Sequence, residues 1–272
     1  MKKIDLHIHT IFSDGNLSPE KVVKLAKENG LSAISITDHD GVGGVELAQR
    51  AGEDYGIEVV PGVELSSQKE GKSIHMLGYF IDLHNQELID FFQYMREARL
   101  KRAEKIVLKL KEHGVNIEMK EVLEHSGQGG IGRPHIAEVL VERGIVSNFR
   151  EAFYKYLGDG KSCYVQKANI STKSVIELID NSCGIAILAH PSSPNVDKFI
   201  PELVDEGLMG IEVWYPSHSH TDIERYLRLA NKYNLVPTGG SDSHGERAGY
   251  PKIGEFCVEY EILEKLKIKR GK

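Results

Sequence analysis

Cysteine is scarce in this chain. The three present, Cys163, Cys183 and Cys257, stand far apart with no Cys-x-x-Cys spacing, which speaks against a disulfide framework or a cysteine zinc knuckle and makes a reducing cytoplasm the expected compartment. Long apolar runs are missing as well. Nowhere do about 18 apolar residues follow one another, so no membrane span is expected, and the chain enters a histidine-bearing strand with no charged segment and apolar core ahead of it. Positive charge is also short: a formal net charge of -6 and a sequence pI of about 6.1 disfavour the broad basic surface that grips duplex nucleic acid. A small phosphorylated ligand stays open, because bound metal ions would add local positive charge that the count omits. Short-period repeats and low-complexity segments are absent, and 272 residues with 40% hydrophobic content suffice for one large α/β domain or a barrel with an insertion.

Histidine, by contrast, follows a pattern. In Asp5-Leu6-His7-Ile8-His9-Thr10, with Asp14 close behind, an extended strand turns Asp5, His7 and His9 to one side and Ile4, Leu6 and Ile8 to the other. Such a strand can pack an apolar back on helices while two imidazoles at i and i+2 chelate a cation. Further along, Ser18-Pro19-Glu20 reads as the start of a helix that Asn29-Gly30 ends. Residues 33 to 37 read as a buried strand, 43 to 54 as a helix, and 57 to 64 and 74 to 80 as strands. That alternation implies βαβ units and parallel pairing.

Between about 86 and 165 the apolar period is helical throughout, so this stretch is expected to be a helical insertion into a body made of residues 1–85 and 166–272. Strands recur at 184–189, 210–214 and 235–238, which makes seven in all. The lysine-rich end, 264–272, reads as a fraying solvated tail.

Nearly every one of these strands ends in a metal-type ligand. His7, His9 and Asp14 belong to the first, Asp38-His39 to the second, Glu64 to the third, His75 to the fourth and His190 to the fifth; Asp242 and His244 follow the last. In parallel α/β sheets and barrels the C-terminal strand ends share one rim, so these groups are expected to converge. Nine ligands (His7, His9, Asp14, His39, Glu64, His75, His190, Asp242 and His244) exceed the about three that one catalytic zinc takes. Two or three divalent ions, Zn2+, Mn2+ or Fe2+, are therefore expected. Glu64 is the best bridge between two of them, at the spacing of roughly 3.5–4 Å used by hydrolytic pairs. Asp5 and Asp38 are expected behind the ligands, orienting imidazoles.

His7-Ile8-His9, Thr37-Asp38-His39, Ala189-His190-Pro191 and Ser241-Asp242-Ser243-His244, in that order and each at a strand end, resemble the four motifs of the PHP (polymerase and histidinol phosphatase) phosphoesterases. The resemblance implies an α/β fold, a distorted barrel of seven β/α units, around a trinuclear metal centre. One ion would sit on His7, His9, Glu64 and Asp242, a second on Glu64, His75 and His190, and a third on Asp14, His39 and His244. Pro61-Gly62-Val63-Glu64 and Ile131-Gly132-Arg133-Pro134-His135 are similar to a branch of small stand-alone members that includes nucleoside 3',5'-bisphosphate phosphatases and a 5'-to-3' exoribonuclease. There the insertion caps the active site and the arginine matching Arg133 is placed to bind phosphate. A guanidinium fork suits a phosphate dianion, and the glycine before it lets the loop approach closely.

The implied chemistry is metal-assisted hydrolysis of a nucleotide phosphomonoester, foremost the 3'-phosphate of a nucleoside 3',5'-bisphosphate, with short oligoribonucleotides as further substrates. Arg133 would steady the phosphate, and His190 or His244 would assist the leaving alkoxide. Arg102 or its neighbour Arg99, His135, and His218, the last next to Trp214-Tyr215, are the other expected substrate contacts. A histidinol-phosphate phosphatase is the alternative enzyme, against which the Gly-Arg-Pro-His segment speaks. A noncatalytic metal-bound module serving a partner is the alternative from another class, against which the complete ligand set speaks.

Overall fold

A computed structural model of the chain describes residues 2–126, 130–191, 196–246 and 251–271. At its centre lies an eight-stranded sheet of β1 (Lys3–Ile8), β2 (Leu31–Ile36), β3 (Glu58–Lys69), β4 (Lys72–Tyr79), β5 (Ile185–Leu188), β6 (Gly210–Trp214), β7 (Val236–Gly239) and β8 (Val258–Glu259). Their spatial order is β7-β6-β5-β4-β3-β2-β1-β8. Beyond β7, Ser243 bridges Ile8 in parallel and accepts the His9 N–H at 2.9 Å. The chain thus returns beside β1, and the sheet curls into a nearly closed barrel.

The strands β1, β2 and β3 run parallel, as do β5, β6 and β7. Two strands break the expected all-parallel series of seven. β4 is antiparallel to both β3 and β5, and the short eighth strand lies antiparallel on β1. Glu70 and Gly71, left-handed at φ 49 and 75, turn β3 directly into β4 as tight hairpins require. Glu-Gly is not among the dipeptides that announce such a turn, so the sequence hides it. The reversal matters for the site: β4 begins, rather than ends, at the rim where the parallel strands finish, and so delivers His75, paired in register with Ser66.

Among the described residues ten α-helices complete the fold: α1 (Pro19–Glu28), α2 (Val45–Tyr55), α3 (Gln86–Glu112), α4 (Met119–Ser126), α5 (Arg133–Glu142), α6 (Phe149–Ala152), α7 (Thr172–Asn181), α8 (Ile200–Asp205), α9 (His220–Lys232) and α10 (Glu261–Arg270). At the start of α1, Ser18 Oγ accepts the Lys21 N–H at 3.3 Å ahead of Pro19 at the first helical position, which satisfies one of the orphan donors there. Val22, Val45 and Ala48 of α1 and α2 pack on Ile8, Ile34 and Ile36. Val175, Leu203 and Tyr226 of α7 to α9 pack on Leu65, Met76 and Leu188. The helices α3 to α6, with a single π turn at Phe153–Leu157, gather a separate cluster around Ile106, Leu110, Ile136, Leu140 and Leu157. None of the described helices is long and apolar enough to cross a membrane.

The C-terminal stretch departs from the expected solvated tail. It forms α10, whose Leu263 and Leu266 are fully buried against Ile4, Leu6, Leu77 and Ile187; Lys272 lies outside the described residues. Ile262, Leu263 and Leu266 make an apolar stripe at i, i+1 and i+4, which the surrounding lysines mask in a charge count. Leu266→Ala is expected to destabilise the protein by about 2–5 kcal/mol, the cost of emptying a packed leucine site, read as a lower midpoint in urea unfolding.

Candidate metal centre

The rim of the barrel collects the expected side chains. His7 and His9 leave the end of β1 with their Nε2 atoms 3.2 Å apart. Both face Glu64 Oε2, at 3.3 and 3.2 Å, and Asp242 Oδ1, at 3.3 and 3.0 Å. The other Glu64 oxygen, Oε1, meets His75 Nδ1 at 2.7 Å and His190 Nε2 at 2.8 Å, while His39 Nδ1 lies 3.2 Å from Oε2. Asp14 stands 3.3 Å from His244 Nε2 and 3.9 Å from His39 Nε2.

Donor atoms close enough to share an ion fall into three sets: His7, His9, Glu64 and Asp242; His9, Asp14, His39 and His244; and His39, Glu64 and His75. His190 borders the last through Glu64. Two residues of the cluster, His190 (φ 29) and Asp242 (φ 51), hold left-handed backbone conformations, strain that packed surroundings must impose and that gathers at functional sites.

Two features of this donor set fit divalent cations. First, carboxylates are buried here in their charged form. Burial alone would raise the Glu64 carboxyl, yet His39, His75 and His7 hold it well below the usual range. Burial likewise opposes ionisation of Asp14, and His244 and His39 outweigh it. Second, these charges demand positive charge in return. Burial disfavours a charged His9, yet hydrogen bonds with Asp242 and Glu64 push its pKa up to about 10, so a proton stands where a cation would serve the same carboxylates. Imidazole and carboxylate donors without thiolate suit Zn2+, Mn2+ and Fe2+.

The groups behind the ligands differ from expectation. Asp5 touches no imidazole ring: Oδ1 accepts the Ser241 N–H at 2.9 Å and Oδ2 the Gly254 N–H at 2.8 Å, so it ties β1 to the loop that carries Asp242. Burial pushes its pKa up to about 6 against these bonds. Asp38 accepts from Thr10 N at 2.7 Å and from Ser13 Oγ at 2.6 Å, and reaches His9 only through that hydroxyl, 3.4 Å from Nδ1.

The carboxylate that does back an imidazole is Glu212 of β6, overlooked in the sequence. It is fully buried, with Oε1 3.0 Å from His7 Nδ1 and Oε2 accepting the His190 backbone N–H at 2.9 Å. This pins the His7 N–H on Nδ1 and turns the Nε2 lone pair toward the ligand set. His244 is set the same way by the Asp242 carbonyl, 2.8 Å from Nδ1. A lone carboxylate between Ile211 and Val213 in an otherwise apolar strand was the signal. Tyr215 adds a further brace, its hydroxyl donating to Asp242 Oδ2 at 3.0 Å.

Residues 5–143, just over half of the chain, match the family model described as the PHP domain. The chain belongs to the PHP domain family. Among its relatives, the 5'-3' exoribonuclease of Haemophilus influenzae is 35% identical over 248 residues, 89% of this chain and 90% of its own length. Phosphoribosyl 1,2-cyclic phosphate 1,2-diphosphodiesterase of Eggerthella lenta is 30% identical over 92% of this chain and 97% of its own. The 3',5'-nucleoside bisphosphate phosphatase of Chromobacterium violaceum is 32% identical over 93% and 91%. A solved structure from Bifidobacterium adolescentis, described as a candidate metal-dependent phosphoesterase, superposes with a TM-score of 0.92 at 30% identity, covering 98% of this chain and 96% of its own.

Around this PHP centre the expected substrate contacts are distributed unevenly. Arg99 of α3, rather than Arg133, is bonded into the rim: its Nε donates to Asp40 Oδ2 at 2.9 Å, its Nη2 donates to the same oxygen, and Nη2 also lies 3.3 Å from Ser66 Oγ. Lys167 reaches His75 Nε2 and Ser73 Oγ, both at 3.1 Å. Arg133 donates through Nη1 to the Leu157 carbonyl at 2.9 Å and to Asp159 at 2.7 Å. Arg102 donates through Nε to the Val165 carbonyl at 2.8 Å, and its buried Nη2 has no partner among the described residues. Two expected contacts make hydrogen bonds within the fold. His135 is buried and accepts the Gly132 N–H at 3.0 Å, closing the first turn of α5. His218 is buried with Nδ1 2.8 Å from the Val213 carbonyl, its ring between those of Tyr215 and Tyr226.

Proposed function

We propose that this PHP protein, a metal-dependent hydrolase, removes the 3'-phosphate of nucleoside 3',5'-bisphosphates and takes short oligoribonucleotides as further substrates. The observation that carries the reading is a second centre of attraction for anions beside the ligand cluster. Burial, together with Arg133 and Arg99 nearby, lowers Arg102 to about 10, and burial with the neighbouring arginines lowers Lys167 to about 8. Arg102 and Lys167, both lowered by burial and by the charges of Arg99 and Arg133 beside them, are stabilised by an anion with many oxygens. A bisphosphate offers one phosphate to the ligand cluster and another to the cations, whereas histidinol phosphate leaves the second site unused. The similarity to the Chromobacterium violaceum phosphatase across nearly the whole chain supports the same substrate class.

His7, His9, Glu64 and Asp242, with Asp14, His39, His75, His190 and His244 around them, would hold the cations. Bound divalent cations supply Lewis acidity and a nucleophilic water at neutral pH. The chain's own groups do the rest. Arg99 and Lys167 orient the scissile phosphate, Arg102 and Arg133 take the other one, and whichever of His190 and His244 is not holding a cation returns a proton to the leaving 3'-oxygen. The helical segment 86–165, bonded to the rim through Arg99, covers the reacting groups from water.

The test is phosphate release in Mn2+ from adenosine 3',5'-bisphosphate, histidinol phosphate and a 5'-phosphorylated oligoribonucleotide. Release is expected to be fastest from the bisphosphate, with adenosine 5'-monophosphate as product. Arg102→Ala is expected to raise KM for it about 10- to 100-fold, the worth of one charged hydrogen bond. Equal rates on histidinol phosphate, or full activity in His39→Ala, would end this reading.

A further inference from the structure

A cleft of about 480 Å³ opens beside His39, lined by Phe12, Gly43, Phe92, Arg96 and Arg99 among others; its size suits a small-molecule ligand. Other clefts of similar size, one between α3 and α7 and one along α2 and β3, touch none of the candidate metal ligands. The wall of the cleft is preorganised. A β-carbon at Gly43 would stand 2.6 Å from Phe12 Cδ1, and one at Gly44 3.2 Å from Phe12 Cδ2, so the Phe12 ring rests directly on two glycines. The Phe12 N–H donates to Thr10 Oγ1 at 3.1 Å, and that hydroxyl donates to Asp38 at 2.6 Å, which holds the loop under the ring.

The opposite wall is α3. Phe92 is anchored there against the barrel's apolar cluster, and Arg96 and Arg99 follow on successive turns. Arg99 is engaged with Asp40 at the inner end. Arg96 is exposed and makes no hydrogen bond or ion pair among the described residues. Two aromatic rings and an uncommitted guanidinium in one cleft offer flat, polarisable surface beside a cation, and a bare phosphate would use only the cation. Nucleobases use both, stacking on aromatic faces and on arginine planes whatever their sequence.

We propose that this cleft receives the base of a nucleotide whose phosphate reacts beside His39, so that the enzyme selects base-bearing nucleotides over base-free sugar phosphates. The inference rests on the phosphatase reading above and adds to it the group that gives selectivity. Phe12 and Phe92 are specificity residues, and Arg96 steadies the base or the phosphate that follows it in a longer chain.

The experiment compares kcat/KM for adenosine 3',5'-bisphosphate with that for methyl riboside 3,5-bisphosphate, the same phosphates without a base. Wild-type protein is expected to prefer the nucleotide. Phe12→Ala, and Phe92→Leu, which keeps the core filled while removing the ring, are expected to lower the ratio of the two values about 5- to 100-fold, chiefly through KM. An unchanged ratio in both variants, or a wild-type protein indifferent to the base, overturns the proposal. If wild-type protein hydrolyses neither compound, the phosphatase reading fails, and the cleft is then judged by calorimetric binding of adenosine 5'-monophosphate. Weaker binding by the same factor in Phe12→Ala supports the cleft; equal binding in both proteins refutes it.

Discussion

Glu64→Ala protein is expected to lose bound metal and hydrolytic activity together. The carboxylate stands at 3.3 Å or less from five imidazoles, His7, His9 and His39 on Oε2 and His75 and His190 on Oε1. It belongs to two of the three ligand sets found among the described residues, so its removal takes a donor from both at once. The loss should exceed the about 10- to 100-fold that follows from disturbing a group behind the ligands. Elemental analysis of dialysed protein, paired with phosphate release, reads both effects. Truncating one member of a buried charged cluster also strands its partners, at roughly 3–5 kcal/mol, so the variant is compared with wild type below its unfolding midpoint. Full metal content with full activity would show that the cluster has another centre.

The second large effect is expected at Glu212. Its two oxygens serve two ligands, His7 through the ring Nδ1 and His190 through the backbone N–H. Glu212→Ala frees His7 to adopt the other tautomer and loosens the left-handed turn at His190. Metal affinity, measured by competition with a chromophoric chelator and therefore independent of turnover, is expected to fall about 10- to 100-fold. Glu212→Gln keeps one carbonyl acceptor and should recover part of the loss. If Glu212→Ala binds metal as tightly as wild type, the imidazole is held by its packing alone.

Much of the site was legible because its information is local. An i, i+2 pair of histidines on a strand, a histidine or aspartate just past an apolar run, and Ser-Pro-Glu ahead of a helix each express backbone geometry within a few residues. The groups hardest to read were those whose role depends on the far side of the fold. Glu212 lies 205 residues from His7, and nothing near it in sequence says which ring it will meet. Asp5, next to a histidine in the strand, binds instead the backbone of residues 241 and 254. His135 and His218 each make a local hydrogen bond, to the Gly132 N–H and with the Val213 carbonyl, that neighbouring residues do not announce.

The order and chemistry of the ligand-type side chains and the helical spacing that becomes α3 to α6 were set by the sequence alone, since residue type and spacing decide them. The tertiary structure decided the rest: the reversal of β4 that brings His75 to the rim, the docking of α10, the choice of Arg99 over Arg133 at the rim, and the aromatic cleft beside His39. Each of these rests on which surfaces meet across the barrel, and pairing energy between distant segments leaves no mark within either segment.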